Sequence, residues 1–222
     1  MRTTIGVIAI VGTVSFVIGA AVWASGPVHA QPREKSSTVT REVRVISALN
    51  DCIQQRFKDV NEGFGMARVL KPGNTAHRFR PETVREVSAV RDLEQAHLQV
   101  VFYLVRRAVL RPMPGPGYWD QQRGRGIIKG PVEITTFRSL DSSNDAPPRP
   151  RDLWDDSQRA MRLFGASESH EFVNSGWKFV ARPVRASAEI CLRCHRTGGE
   201  GTALELGDAI GAAIYGYRPV RP

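Results

Sequence analysis

Cysteine is scarce in this chain. Only three of its 222 residues are cysteine, and Cys52 stands far from Cys191 and Cys194. Without a second ligand pair the sequence cannot build a zinc ribbon. No segment repeats, so the fold is not an array of stacked units. No kinase, cyclase or DNA-binding module is present, and no recognised nucleic-acid motif occurs. No placed acid/base constellation is visible either, so the chain is not expected to be an enzyme. Acidic residues are outnumbered 22 to 31 by lysine and arginine, for a formal charge of +9. The arginines are scattered rather than gathered in one block. That describes a solvated basic surface, with docking to an acidic redox partner or to anionic lipid as the alternatives.

What is present begins with an apolar run, residues 5–24, opened by Arg2 and followed by Ser25-Gly26-Pro27 and Val28-His29-Ala30. This reads as an export segment over residues 1–30 with a small-residue cleavage site, leaving Gln31 as the first mature residue. A run of that length also suffices to span a bilayer, so a retained N-terminal membrane anchor is the alternative to cleavage. Either way residues 31–222 are expected outside the cytoplasm, in the periplasm. Hydrophobic residues make up 41% of the chain, ordinary for one globular domain.

The most specific motif is Cys191-Leu192-Arg193-Cys194-His195. C-x-x-C-H is the covalent attachment signature of c-type haem. Two thiols three positions apart reach the two vinyl groups along one porphyrin edge, and the adjoining histidine supplies an axial nitrogen. A thioredoxin-type C-x-x-C normally caps the first helix of a βαβ unit, whereas this motif lies late in the chain. A Cys191–Cys194 disulfide is the remaining structural reading. Export and the motif agree, because haem c is attached outside the cytoplasm. One covalently attached haem c, held by Cys191, Cys194 and His195, is therefore expected.

Along the rest of the chain, Ile46, Leu49, Ile53, Phe57 and Val60 advance by threes and fours, predicting a helix that begins near Thr38 or Thr40. Cys52 borders its buried stripe. A basic loop with a turn at Pro72-Gly73-Asn74 follows. A second helix is predicted to start at Pro81, with Val84, Val87, Val90 and Leu93 on its apolar face. Residues 98–110 read as one or two buried strands, and Arg111–Gly117 as a proline-rich loop. A strand over 127–137 and a loop over 141–148 precede a helix over 152–164, with Leu153, Met161 and Leu163 on its apolar side. Two strands flank a turn at Asn174-Ser175-Gly176, the second closed by Pro183. Glycines within 206–213 permit close approach to a porphyrin face or to a neighbouring strand. This order predicts an α+β fold with an antiparallel sheet.

The sixth position on the iron has several candidates. Two thiols become thioethers, which leaves Cys52 as an odd cysteine in an exported protein: a ligand, or a small buried hydrophobe. Met113 sits in the proline-rich loop. Met66 reads as a loop residue and Met161 as a core residue. His77, His97 and His170 read as surface or satisfied histidines before they read as ligands.

From Phe137-Arg138-Ser139-Leu140 through Asn144, Pro147 and Trp154-Asp155, the chain resembles a family of single-haem c-type domains. The likeness continues through Phe179–Pro183, Cys191–His195, Gly207-Asp208 and Gly211-Ala212, and covers roughly residues 134 to 215. This is a domain-of-unknown-function family with a PAS-like sensor fold, seen alone or fused to signalling kinases. Asp141-Ser142-Ser143 and Arg196 depart from its pattern. The resemblance implies a PAS-like sheet flanked by helices and a second axial ligand from a cysteine on the N-terminal helix, the place of Cys52. A thiolate is stabilised by ferric iron and held less well by ferrous iron. It therefore implies redox or small-gas (CO or NO) sensing, the output passing to a separate signalling protein. One-electron transfer in a periplasmic redox chain is the alternative, and a stable methionine or histidine ligand would mark it.

Overall fold

The computed structural model describes residues 40–59, 65–70, 78–107, 128–137, 146–195 and 203–220. The expected export segment, the turn at Pro72-Gly73-Asn74, His77, the loop with Met113, residues 141–145 and Arg196 lie outside the described residues.

Helix α1 spans Arg41–Lys58. Thr40 caps it, its hydroxyl accepting from the Val43 N–H at 3.4 Å. Glu42 in the first turn and Arg56 and Lys58 in the last complement the helix dipole. Ile46, Leu49 and Ile53 are fully buried and Phe57 nearly so. Burial of each such side chain stabilises the fold by about 1.5–3 kcal/mol.

Helix α2 spans Val84–Gln95, three residues later than its expected start at Pro81. The Thr83 side chain accepts from Glu86 N–H while the Glu86 carboxylate accepts from Thr83 N–H. This reciprocal box satisfies two end donors, whereas a proline supplies only a favourable φ. The buried face also differs from expectation. Val84 is 89% exposed and Val87 exposed, and the inward residues are Glu86, Ala89, Val90 and Leu93.

Strands β1 (Leu98–Arg106), β2 (Ile128–Glu133), β3 (His170–Asn174), β4 (Trp177–Arg185) and β5 (Ala209–Pro219) form one antiparallel sheet. Its order is β2-β1-β5-β4-β3. With helices α3 (Trp154–Leu163) and α4 (Glu189–Cys194), the architecture is α+β and PAS-like. Side chains alternate across β1: Val100 and Phe102 pack on the α1–α2 side, and Val101, Tyr103 and Val105 with Leu153, Ala160 and Met161 on the α3 side. Leu163 is 41% exposed, against expectation. It lies two residues beyond Met161, roughly 200° around the helix.

The β3–β4 hairpin turns on Ser175 and Gly176 at φ 50° and 76°, the left-handed pair that fits strand twist. Pro183 does not close β4, which runs to Arg185. β3 pairs only as far as Ala181, and the Pro183 carbonyl instead accepts from Gln54 Nε2 at 3.0 Å. A residue's N and O point to the same side of a strand, so the missing N–H falls where no ladder bond was due. The β5 glycines serve neighbouring strands. A Cβ on Gly211 would lie 2.5 Å from the Val105 carbonyl oxygen, and one on Gly216 2.5 Å from Phe179 Cε1.

Candidate functional site

Three residues after β4, the chain makes the short helix α4. Cys191 N–H donates to Ala188 O at 2.9 Å and His195 N–H to Cys191 O at 3.1 Å. Helical spacing puts positions i, i+3 and i+4 on one side, which here means Cys191, Cys194 and His195. All three line one cavity of about 340 Å³, within the range of small-molecule sites. Leu192, like Cys191, packs against the core, but it does not line the cavity.

Ile190 of α4 also lines the cavity, and the rest of the lining comes from six other places. β1 gives Leu104, Val105 and Arg106, β2 gives Lys129, β4 gives Val184 and Arg185, and β5 gives Ile210 and Gly211. Phe57 ends α1, and the single 3₁₀ turn Gly65–Arg68 adds Gly65, Met66 and Arg68. The cavity is apolar except for its cations. Arg106 Nη2 donates to Cys194 O at 3.0 Å, placing a positive charge beside the motif, while its Nε is buried without a hydrogen-bond partner. Arg185 bonds the Gly207 carbonyl at 2.9 Å and pairs with Glu168 at 2.6 Å.

No family model, curated protein or solved structure matches the chain.

Burial, helped by the Arg106 cation, pushes the His195 imidazole down to about 4. At neutral pH the ring is uncharged and one nitrogen lone pair is free for a metal. The three cysteines are unpaired: Cys52 buried, Cys191 half-buried and Cys194 exposed. Among the described residues no three His, Cys, Asp or Glu side chains gather as they would around a lone metal ion. An apolar space, two thiols and a neutral imidazole on one helix face, and nearby cations for carboxylates together fit a haem.

Cys52 lies elsewhere. It is 4% exposed and lines a second hollow with Arg56, Glu82, Arg85 and Glu86, which meets the first cavity at Arg68. Burial pushes its thiol up. Phe57, five residues on and roughly 140° around α1 from Cys52, is the residue of that helix that reaches the cavity. His97 stands at the turn between α2 and β1 near Phe137, and His170 stacks on Phe172 at the sheet edge. Neither lines the cavity. Met161 is a core residue, as expected.

Met66 is the residue that sequence reasoning passed over. It is 8% exposed and lines the same cavity as His195. A lone methionine in an irregular stretch carries no periodic signal. Only the packing of the turn on the end of α1 brings it to the cavity.

Proposed function

We propose that the protein is an exported, periplasmic, single-haem c-type protein whose task is one-electron transfer. The observation that carries this reading is the shared cavity: Cys191, Cys194 and His195 line one apolar space from a single face of α4. Bound haem would supply an iron that alternates between ferric and ferrous states. The chain's own residues hold and insulate it. Cys191 and Cys194 would tether the ring, His195 would offer a neutral nitrogen, and the valines, isoleucine and leucine of the sheet would keep water away. Arg106 and Lys129 would offset the ring's carboxylates. A carrier works best when both axial bonds persist in both oxidation states, and the cavity offers a methionine rather than Cys52. The redox partner is unidentified, and the basic surface suits an acidic one.

A second reading is redox or CO/NO sensing through a His195/Cys52-ligated haem. It is favoured by the resemblance to single-haem PAS-like sensor domains and by a buried thiol on α1, the helix that also sends Phe57 to the cavity. It requires α1 to turn Cys52 toward that cavity. Its output would pass to a separate signalling protein.

Absorption spectra of the exported protein, oxidised and reduced, beside Cys52→Ala test both. A covalent haem with identical low-spin spectra in the two proteins supports electron transfer. Thiolate features lost in the variant, with CO binding to the reduced wild type, would replace that reading with the sensor. Absence of covalent haem would remove both.

A further inference from the structure

A haem tethered at Cys191 and Cys194 and ligated by His195 has one axial position left. Of the described residues lining the cavity, few bear an atom that can fill it. The motif thiols are consumed by attachment. Arg68, Arg106 and Arg185 are guanidinium cations, and the lysine ammonium of Lys129 likewise has donors and no lone pair. The other linings are hydrocarbon or glycine. Met66 is left, a soft sulfur with lone pairs.

Resting on the haem reading above, we infer that the Met66 thioether is the sixth ligand of the haem iron. Its backbone is held for such a role. The Met66 carbonyl accepts from Val69 N–H at 3.0 Å and Leu70 N–H at 2.8 Å. The carbonyls of Arg68 and Val69 accept from Arg56 Nη1 at 3.5 and 3.3 Å, and Arg68 Nη1 donates to the Phe57 carbonyl. Two arginines thus clamp the turn to the end of α1. Gly65, at φ +54°, admits the sharp entry, and a Cβ there would meet Leu104 Cδ2 at 3.8 Å. A thioether is neutral and is retained by ferrous iron, so it raises the reduction potential relative to a thiolate. His/Met ligation keeps six bonds in both oxidation states.

The test uses the full chain matured with haem, as wild type, Met66→Leu and Cys52→Ser. Leucine preserves volume and removes the sulfur, so folding is retained, and Met66→His serves as a second, ligand-replacing variant. Covalent haem is first measured in each by the alkaline pyridine spectrum, which isolates the haem reading from this one. The expected result is a weak near-infrared sulfur-to-iron charge-transfer band in the oxidised wild type. It should persist in Cys52→Ser and vanish in Met66→Leu and Met66→His. Met66→Leu should also lower the reduction potential and gain CO binding when reduced. Attached haem whose band is missing from the wild type, or survives in Met66→Leu, overturns the Met66 assignment while leaving the haem. Absence of attached haem overturns both.

Discussion

Replacing Glu86 by alanine removes the centre of the clamp between α1 and α2. The carboxylate accepts from Arg56 Nε at 2.6 Å and Nη2 at 2.8 Å, and from the N–H groups of Glu82 and Thr83 at 2.7 and 3.1 Å. The Arg56 and Glu86 side chains are 11% and 5% exposed, and Arg56 stacks on Phe79 at 4.6 Å. Deleting one member of a buried pair removes the bidentate compensation of the other charge, at about 3–5 kcal/mol. The lost cap, about 1 kcal/mol alone, overlaps that figure because the same carboxylate makes both sets of bonds. With a urea m-value of about 2 kcal/mol/M, the midpoint should fall by about 1.5–2.5 M. Acid should produce a related loss. Burial alone would raise the Glu86 carboxyl, but the Arg56 bond and charge and the two N–H groups outweigh it, leaving it near 2 against an ordinary 4.5. The folded state therefore binds this proton less readily than the unfolded chain. The stabilisation is complete above pH about 4.5 and is lost as pH falls through about 2, a span worth about 3 kcal/mol. The stability gap between wild type and Glu86→Gln should narrow across that window. A Glu86→Ala midpoint within about 0.5 M of wild type, or a gap unchanged from pH 6 to pH 2, would refute the reasoning.

Gly211→Ala should destabilise by about 1–3 kcal/mol through overpacking, because its Cβ would meet the Val105 carbonyl at 2.5 Å; thermal unfolding checks this. Tyr103→Phe removes the 2.6 Å bond from the buried hydroxyl to Pro148 O and should cost about 1–3 kcal/mol in urea. His195→Ala should leave the fold's urea midpoint within about 0.3 M of wild type while abolishing the low-spin haem spectrum, as absorption of the purified protein would show.

The fold was legible where a single segment decides its own burial. Ile46, Leu49, Ile53 and Phe57 announce α1, and the hairpin around Ser175-Gly176 announces β3 and β4. It was less legible where the partner is distant. Glu86 turns inward because Arg56, thirty residues earlier, waits for it, and that exchange exposes two valines which periodicity alone would bury. Pro183 ends no strand because the free side of β4 meets Gln54. The motif marked its own side of the cavity, since i, i+3 and i+4 need no tertiary information. The facing side is set by how the Gly65–Arg68 turn packs, and a helical wheel cannot tell whether a border residue such as Cys52 faces α2 or the cavity.

β5 occupies the middle of the sheet yet follows every other element in the chain. Until it inserts, β1–β2 and β3–β4 are separate hairpins with no shared hydrogen bonds. Its pairing with β1 closes a very long loop, the kind of contact that forms slowly. Ile210 and Gly211, part of the cavity, belong to β5, whereas Cys191, Cys194 and His195 precede it. Under the proposed reading, a chain emerging through a membrane would present its two thiols and histidine before the sheet is whole. An attaching enzyme would then meet an open substrate, and the last strand would shut the pocket behind the ring.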